Sequence, residues 1–385
     1  MSNELLKDRV QFNYGFAIRV NNEKEGQYPV FGSNGITGFI DSYKVEGPGI
    51  IVGRKGTVGA VHYSADNFTP TDTAYYLTLK NDDENDLKFW YYYLPLLGLG
   101  KLNTHSSVPG LNREVAYFIK VKPPDKPTQS RIAAVLSALD AKIALNNRIN
   151  AQLEAMAKTL YDYWFVQFDF PDSHGRPYKS SGGKMVWNQE LKREVPEGWE
   201  VVDLQGIANI TMGQSPPGES YNEVNEGIIF FQGSTDFGER YPKIRQFTTA
   251  PSRFAKKGDI LLSVRAPVGT LNIANVDCCI GRGLAALNSK EGCNPYLFEV
   301  MKDLKKALEI RNVGGTTFGS ITKEDLFSLK VLRPSKDILT KFNHIVNPAY
   351  QKQSNYELEN HHLTTLRDWL LPMLMNGQVR VGGVE

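Results

Sequence analysis

The chain has few cysteines, no long apolar run and almost no excess of charge. Its three cysteines, Cys278, Cys279 and Cys293, are odd in number and include an adjacent pair. That pattern fits reduced thiols in a cytosolic compartment better than a disulfide framework or a zinc site. The longest apolar stretch, residues 90–99, is well short of the ~20 residues a membrane helix needs, and the amino-terminal string MSNELLKDRV has no apolar signal core. The expectation is a soluble, cytoplasmic protein. Forty-four basic residues against 42 acidic ones leave a net charge of +2, so no global positive field attracts a polyanion. Any such partner must be gripped by local loops. With 385 residues, 41% hydrophobic and 22% charged, the chain is folded and long enough for two or three domains.

The signatures of catalysis are missing too. No GxxxxGK[ST] phosphate loop occurs, and no glycine-rich fingerprint for S-adenosylmethionine follows a strand. Two strings approach the (Asp/Asn/Ser)-Pro-Pro-aromatic loop with which amino-methyltransferases grip a flipped base. Ser215-Pro216-Pro217-Gly218 lacks the stacking aromatic; Asn347-Pro348-Ala349-Tyr350 lacks the second proline and lies within a helical heptad. Both read as decoys. His361 and His362 are adjacent, so on a helix they point in different directions and make a poor metal pair. Asp259 and Asp277 stand near basic residues without the spacing of a nuclease. No catalytic and no metal-ligating residue is assigned.

What the chain does have is a copy of itself. Residues 48–59 (PGIIVGRKGTVG) realign with residues 258–269 (GDILLSVRAPVG) at a shift of 210, with Ile50 on Ile260, Val58 on Val268 and Gly59 on Gly269. Glu114, Lys120, Val121 and Pro124 meet Glu324, Lys330, Val331 and Pro334 at the same shift, as Asn150, Leu153 and Leu160 meet Asn360, Leu363 and Leu370. This period exceeds the ~20–50 residues of solenoid repeats, so each copy is a domain with an appendage. Pseudo-twofold symmetry follows, and a ligand with two similar halves fits it.

Residues 10–124 alternate short β-rich runs with Gly, Asn, Asp and Pro punctuation, and residues 197–334 repeat the theme. Each globule holds one helix, at 86–97 and near 295–308. Residues 127–166 carry no internal Gly or Pro and keep a seven-residue apolar rhythm. Ile132, Leu139, Asn146, Leu153 and Leu160 fill one heptad position; Val135/Leu136, Ile143, Ile149, Met156 and Tyr163/Trp164 fill its partner. This predicts a coiled-coil helix, with Asn146 either locally solvated or fixing register. The shifted seam, Phe342, Ala349, Tyr356, Leu363 and Leu370, marks a second helix after Pro334, with Ser335 at its cap. Symmetry makes the two antiparallel, in a rod of roughly 58 Å at 1.5 Å per residue. Residues 168–195 read as a polar, glycine-rich connector.

Binding chemistry gathers in loops. Ser33-Asn34-Gly35, Gly53-Arg54-Lys55-Gly56 and Thr104-His105-Ser106-Ser107 combine small residues with cationic or hydrogen-bonding side chains. Their counterparts are Gly233-Ser234-Thr235, Ser263-Val264-Arg265-Ala266 and Gly314-Gly315-Thr316-Thr317. Arg and Asn pair with guanine and adenine edges, whereas Lys, Ser and Thr more often meet phosphates; solvated turns are the plain alternative. Thr71-Asp72-Thr73 aligns with Gly281-Arg282-Gly283, so an acid stands opposite an arginine. Modules reading different bases need that difference, because an acid accepts from cytosine and arginine donates to guanine. The candidate DNA-contacting residues are Ser33, Asn34, Arg54, Lys55, Thr71, Asp72, His105, Ser106, Ser234, Arg265, Arg282, Thr316 and Thr317.

The strings YPVFGSNGITG (28–38), GPGIIVGRKGTVGAVHYS (47–64), VPEGWEVVDL (195–204), GDILLSVRAPVG (258–269), IGRGLAAL (280–287) and SRIAAVLSALDAKIALNNRINAQLEAMAKTLYDYWF (130–165) together resemble the specificity (S) subunits of type I restriction-modification enzymes. The resemblance covers nearly the whole chain. It implies an α+β fold with two pseudo-symmetric strand-rich target recognition domains, 1–124 and 168–334 (the latter with its linker), separated by two long antiparallel coiled-coil helices at 125–167 and 335–385. Each recognition domain would bind half of a split double-stranded DNA sequence. The helices would set the spacer and dock two methyltransferase subunits, which restriction subunits then join. S-adenosylmethionine for adenine N6 methylation, and ATP and Mg²⁺ for cleavage, would belong to those partners and none to this chain. One departure stands out: residues 1–15 lack the PEGWE-type entry seen at 196–200. Two other classes remain on the residues alone, a self-sufficient adenine methyltransferase with degenerate motifs and a symmetric protein-binding scaffold.

Overall fold

Strand Gly49–Gly53 is buried along its whole length, and its residues alternate between two cores. Side chains of a strand point to opposite faces with period two. Ile50 and Val52 accordingly enter a core with Phe12, Phe89 and Trp90, while Ile51 faces Phe31, Phe68 and Ala74. Strand Ile260–Ser263 behaves identically: Ile260 and Leu262 enter one core, and Leu261 meets Phe231, Ala255 and Ile280 in another. A continuous apolar strand therefore marks the centre of each globule.

The computed structural model describes residues 4–18, 26–102, 110–313 and 320–382. The chain divides into two units, Met1–Leu145 with Glu359–Glu385, and Asn146–Leu358. In unit 1 an antiparallel sheet runs in the order Val10–Tyr14, Ala74–Leu79, Gly49–Gly53, Val61–Ser64. A second sheet pairs Tyr28–Gly32 with Gly35–Ile40 as a hairpin, and with Thr69–Pro70 in parallel. Helix Leu87–Tyr93 is capped by the Asp86 carboxylate, which accepts from the Phe89 amide at 2.9 Å, and it buries Phe89 and Trp90. Unit 2 repeats the first sheet as Ala208–Met212, Leu284–Ser289, Ile260–Ser263, Leu271–Ile273. It repeats the parallel pairing as Phe230 with Cys279, matching Val30 with Thr69. Cys278, Cys279 and Cys293 are buried free thiols.

Two long helices are present, Lys126–Tyr161 and Lys336–Met375. Within unit 1 the start of the first runs antiparallel to the end of the second. Ile132, Ala133 and Leu136 share a core with Leu374 and Met375, and Arg367 donates to Asp140 at 2.7 Å. Within unit 2, Trp164 and Phe165 beyond the first helix pack on Phe342 of the second, while Gln353 donates to the Asn150 carbonyl at 2.9 Å.

The heptad seam is corrected at Met156, which is 68% exposed; of the pair Tyr163/Trp164, Trp164 is the buried member. Ala157, Tyr161 and Phe165 are buried instead, against Tyr296 and its neighbours. Here the helix packs on a globule rather than on one partner helix alone, so the buried stripe follows four-residue spacing. The helix also ends in a π-turn at Asp162–Val166. The predicted connector is itself packed. Phe170 stacks between Tyr178 and Trp199, the Asp169 carboxylate accepts from the Ser180 amide and hydroxyl, and Met185–Asn188 pairs with Arg193–Pro196. Its glycines serve tight turns over an aromatic core. The short amino-terminal entry completes its strand economically: Glu4–Leu5 pairs with Lys120–Val121, where unit 2 pairs Glu200–Asp203 with Lys330–Arg333.

Candidate nucleic-acid interface

Both candidate sites grow from the loop that follows the central strand. In unit 1 the amides of Arg54 and Lys55 donate to the Thr73 carbonyl at 2.9 and 3.0 Å, and Leu111 donates to the Arg54 carbonyl at 2.8 Å. The Arg54 guanidinium donates to the Asp72 carbonyl at 2.9 Å and lies 5.0 Å from the Tyr14 ring centre. Arg113 sits 4.7 Å from the same ring. Tyr14 is thus an exposed aromatic plate flanked by two cations, each attracted by the ring's negative face. Beneath it, burial and the nearby Tyr14 push the Tyr75 hydroxyl above its ordinary value while Arg54 opposes the rise; the neutral phenol donates to the Leu111 carbonyl at 3.1 Å.

The loop can be this tight because of glycine. A Cβ on Gly53 would lie 2.1 Å from the Thr57 carbonyl oxygen and 2.9 Å from that of Ser33. The same closeness brings the hairpin turn carrying Ser33 and Asn34 against the Arg54 loop. Thr71 and Thr73 share a hydroxyl hydrogen bond of 2.7 Å behind the exposed Asp72. Ser33, Arg54, Lys55, Thr71 and Asp72 therefore converge, with Asn34 exposed on the adjoining turn.

Unit 2 keeps the backbone and changes the side chains. Val264 donates to the Gly283 carbonyl at 2.9 Å, and Ile321 donates to the Val264 carbonyl at 2.9 Å, repeating Arg54 with Thr73 and Leu111 with Arg54. Arg265 bridges Ser320 as Lys55 bridges Gly110. The residue equivalent to Arg54 is the buried Val264, and the cations here are the exposed Arg265 on this loop and Arg282 on the facing one. Ser215 accepts from the Arg282 amide at 3.2 Å and from the Gln232 side chain at 2.8 Å. Ser234, beside Gly233, opens the short 3₁₀ turn Ser234–Asp236, whose buried Asp236 accepts from Arg245 at 3.0 Å. His105, Ser106, Thr316 and Thr317 lie outside the described residues.

Sequence reasoning passed over Tyr14, which holds Arg54, Arg113, which shares that ring, and Ser215 and Gln232, which hold the Arg282 backbone. Ser215 was visible only as part of a methyltransferase-like string. Its contribution here is a hydroxyl that accepts a backbone amide.

Both sites present exposed cations and small polar groups on a rigid sheet, with an acid added in unit 1. Such groups can donate to phosphates and base acceptors and can accept from base amino groups.

A family profile described as the type I restriction modification DNA specificity domain matches residues 6–155 and again 196–360. The chain is 33% identical over 279 residues to the provisionally named type I restriction enzyme MjaX specificity subunit of Methanocaldococcus jannaschii, an alignment covering 70% of this chain and 62% of that protein. It is 24% identical over 322 residues to the type I restriction enzyme HindI specificity subunit of Haemophilus influenzae, covering 66% and 68%. The chain thus spans less than two thirds of the length of the M. jannaschii relative. The crystal structure of a type I restriction-modification system S subunit from M. genitalium shares the fold, with a TM-score of 0.66 at 20% identity over 96% of this chain and 95% of that one.

Proposed function

Because the chain belongs to the type I restriction-modification DNA specificity family, we propose that it is a noncatalytic specificity subunit reading a bipartite double-stranded DNA target, one half-site per unit. The observation that carries this reading is the pair of equivalent loops with unlike side chains. The hydrogen bonds at Arg54 and Val264 superimpose in pattern, while Asp72 stands where unit 2 has Arg282. A duplicated scaffold that kept its geometry and reversed its chemistry suits two different base sequences. Ser33, Asn34, Arg54, Lys55, Thr71, Asp72, Ser234, Arg265 and Arg282 would contact bases or phosphates, and His105, Ser106, Thr316 and Thr317 would add to them from the adjoining loops. Net charge near zero means that affinity comes from these contacts and falls with salt in proportion to the phosphates neutralised.

Methyltransferase subunits, two by the symmetry of the repeat, would dock on the long helices, and restriction subunits would join them. S-adenosylmethionine, ATP and Mg²⁺ would be held by those partners. Among the described residues no helix is long and apolar enough to cross a membrane, and a cytoplasmic location agrees with DNA as the ligand.

The test is to co-express the chain with its neighbouring methyltransferase and map methylated adenines by single-molecule sequencing. A split motif with a fixed gap is expected. Methylation that appears without this chain, or none when both proteins are soluble, would overturn the reading.

A further inference from the structure

The two copies differ most in length between the hairpin strand and the central strand. Strand Tyr28–Gly32 and strand Ile228–Phe231 correspond at a displacement of 200, since Val30 pairs with Thr69 as Phe230 pairs with Cys279. The central strands correspond at 210, Ile50 with Ile260. The intervening segment of unit 2 is therefore ten residues longer, and part of it forms a strut.

One end of the strut is Ser234, in the candidate reading loop. Its middle is stapled to the sheet: Asn272, itself buried, donates to the Gly238 carbonyl at 3.0 Å and accepts from the Gly238 amide at 3.2 Å, while the Ile273 amide donates to the Arg240 carbonyl at 2.9 Å. From that anchored backbone the Arg240 side chain, only 7% exposed, reaches the two long helices of the unit. Its guanidinium lies 4.4 Å from the Tyr350 ring and 5.2 Å from Phe298, and 3.5 Å from the Glu154 carboxylate. Lys302 donates to the same carboxylate and, at 3.2 Å, to the buried Glu299. A planar cation against an aromatic ring, with a carboxylate at its edge, resists rotation more than a point charge does.

Unit 1 solves the same contact without a strut. Lys88, on helix Leu87–Tyr93, lies 3.4 Å from the Tyr63 ring and 4.9 Å from Tyr91, and Tyr92 of that helix donates to Asp140 at 2.5 Å. At displacement 210 the counterparts of Lys88 and Asp140 are Phe298 and Tyr350. At those two positions unit 2 thus has aromatic rings where unit 1 has the cation and the acid, and the added segment lays Arg240 against both rings. The consequence is particular to unit 2: the element that joins the globule to the helices also carries a reading residue.

We propose that Arg240 is a positioning residue that ties the reading loop of unit 2 to its helix segments, so that discrimination of one half-site depends on it. The proposal rests on the DNA-reading function above. The experiment uses the full chain with its methyltransferase partner and measures binding to duplexes in which either half-site is scrambled. The half-site of unit 2 is identified as the one weakened by Arg282→Ala. Arg240→Ala should reduce discrimination at that half-site about tenfold, leave the other half-site unchanged, and speed amide hydrogen exchange across 234–245. Arg240→Lys should restore part of the loss through Glu154, and Tyr350→Leu, which keeps the site apolar, should act in the same direction as Arg240→Ala should the latter fail to fold. Unchanged discrimination in both Arg240→Ala and Tyr350→Leu would overturn the proposal. Equal loss at both half-sites with a lowered melting temperature would assign Arg240 to stability alone. A parent complex with no split-target preference would instead sink the reading on which the proposal rests.

Discussion

Arg54 rests its guanidinium 5.0 Å from the Tyr14 ring and donates to the Asp72 carbonyl, whereas the residue at its place in unit 2, Val264, is buried. One backbone position thus holds an oriented cation in one unit and a core side chain in the other. The unit 2 cations, Arg265 and Arg282, stand one step along this loop and on the facing loop.

Arg54→Ala should weaken binding to cognate DNA by about 1–3 kcal/mol if the guanidinium reads a base. Tyr14→Leu, which removes the plate that orients it, should cost part of the same amount. Titration of both variants against cognate and half-site-scrambled duplexes is the check. A base contact makes the loss specific to one half-site, and a loss uniform over sequences identifies a phosphate contact.

Arg265→Ala and Arg282→Ala should affect the other half-site only. Ser215→Ala removes the hydroxyl that accepts from the Arg282 amide, and a smaller loss in the same direction is expected. Comparing methylation motifs of the three variants tests this; relaxation at the half-site of Arg54 would contradict it.

Leu136 is fully buried in the core of unit 1 and Met156 is exposed on the same helix. Leu136→Ala should destabilise the protein by about 2–5 kcal/mol through the cavity it leaves. Met156→Lys should change stability by no more than about 0.5 kcal/mol. Denaturant unfolding of both variants distinguishes this arrangement from the uniform heptad seam, which makes both substitutions costly.

Burial pushes the Cys278 thiol up to about 12 and the Cys293 thiol up to about 11. The thiolate is the nucleophile and all three thiols are buried, so at pH 8 the folded protein should resist iodoacetamide. The denatured chain should take up three equivalents, counted by intact mass. Prompt alkylation of the folded protein would show that the strand Cys278–Ile280 opens.

The duplication was legible because cores conserve apolar positions: Ile50 and Ile260 occupy the same place in both copies and face equivalent cores. The heptads were legible for the same reason, and they misplaced Met156 where the helix packs on the aromatic residues around Tyr296 as well as on its partner helix. Periodicity reports that a stripe is buried, and a change of neighbour turns the stripe. Arg240 was out of reach because its segment has no counterpart in the first copy, so comparing the copies carried no information there. Segment 168–195 looked like a linker because its glycines and charges outnumber Phe168 and Phe170, the residues that anchor it.

The sequence by itself determined the two-copy architecture, the buried central strands and the two long helices, since each is written in local apolar spacing that repeats. Which loop residues meet was decided by the tertiary structure. Arg54 finds Thr73, Asp72 and Tyr14, and Arg282 finds Ser215, through hydrogen bonds and ring contacts between strands distant in sequence. Those partners have no period, because they are fixed by the order in which the strands pair rather than by the spacing along any one of them.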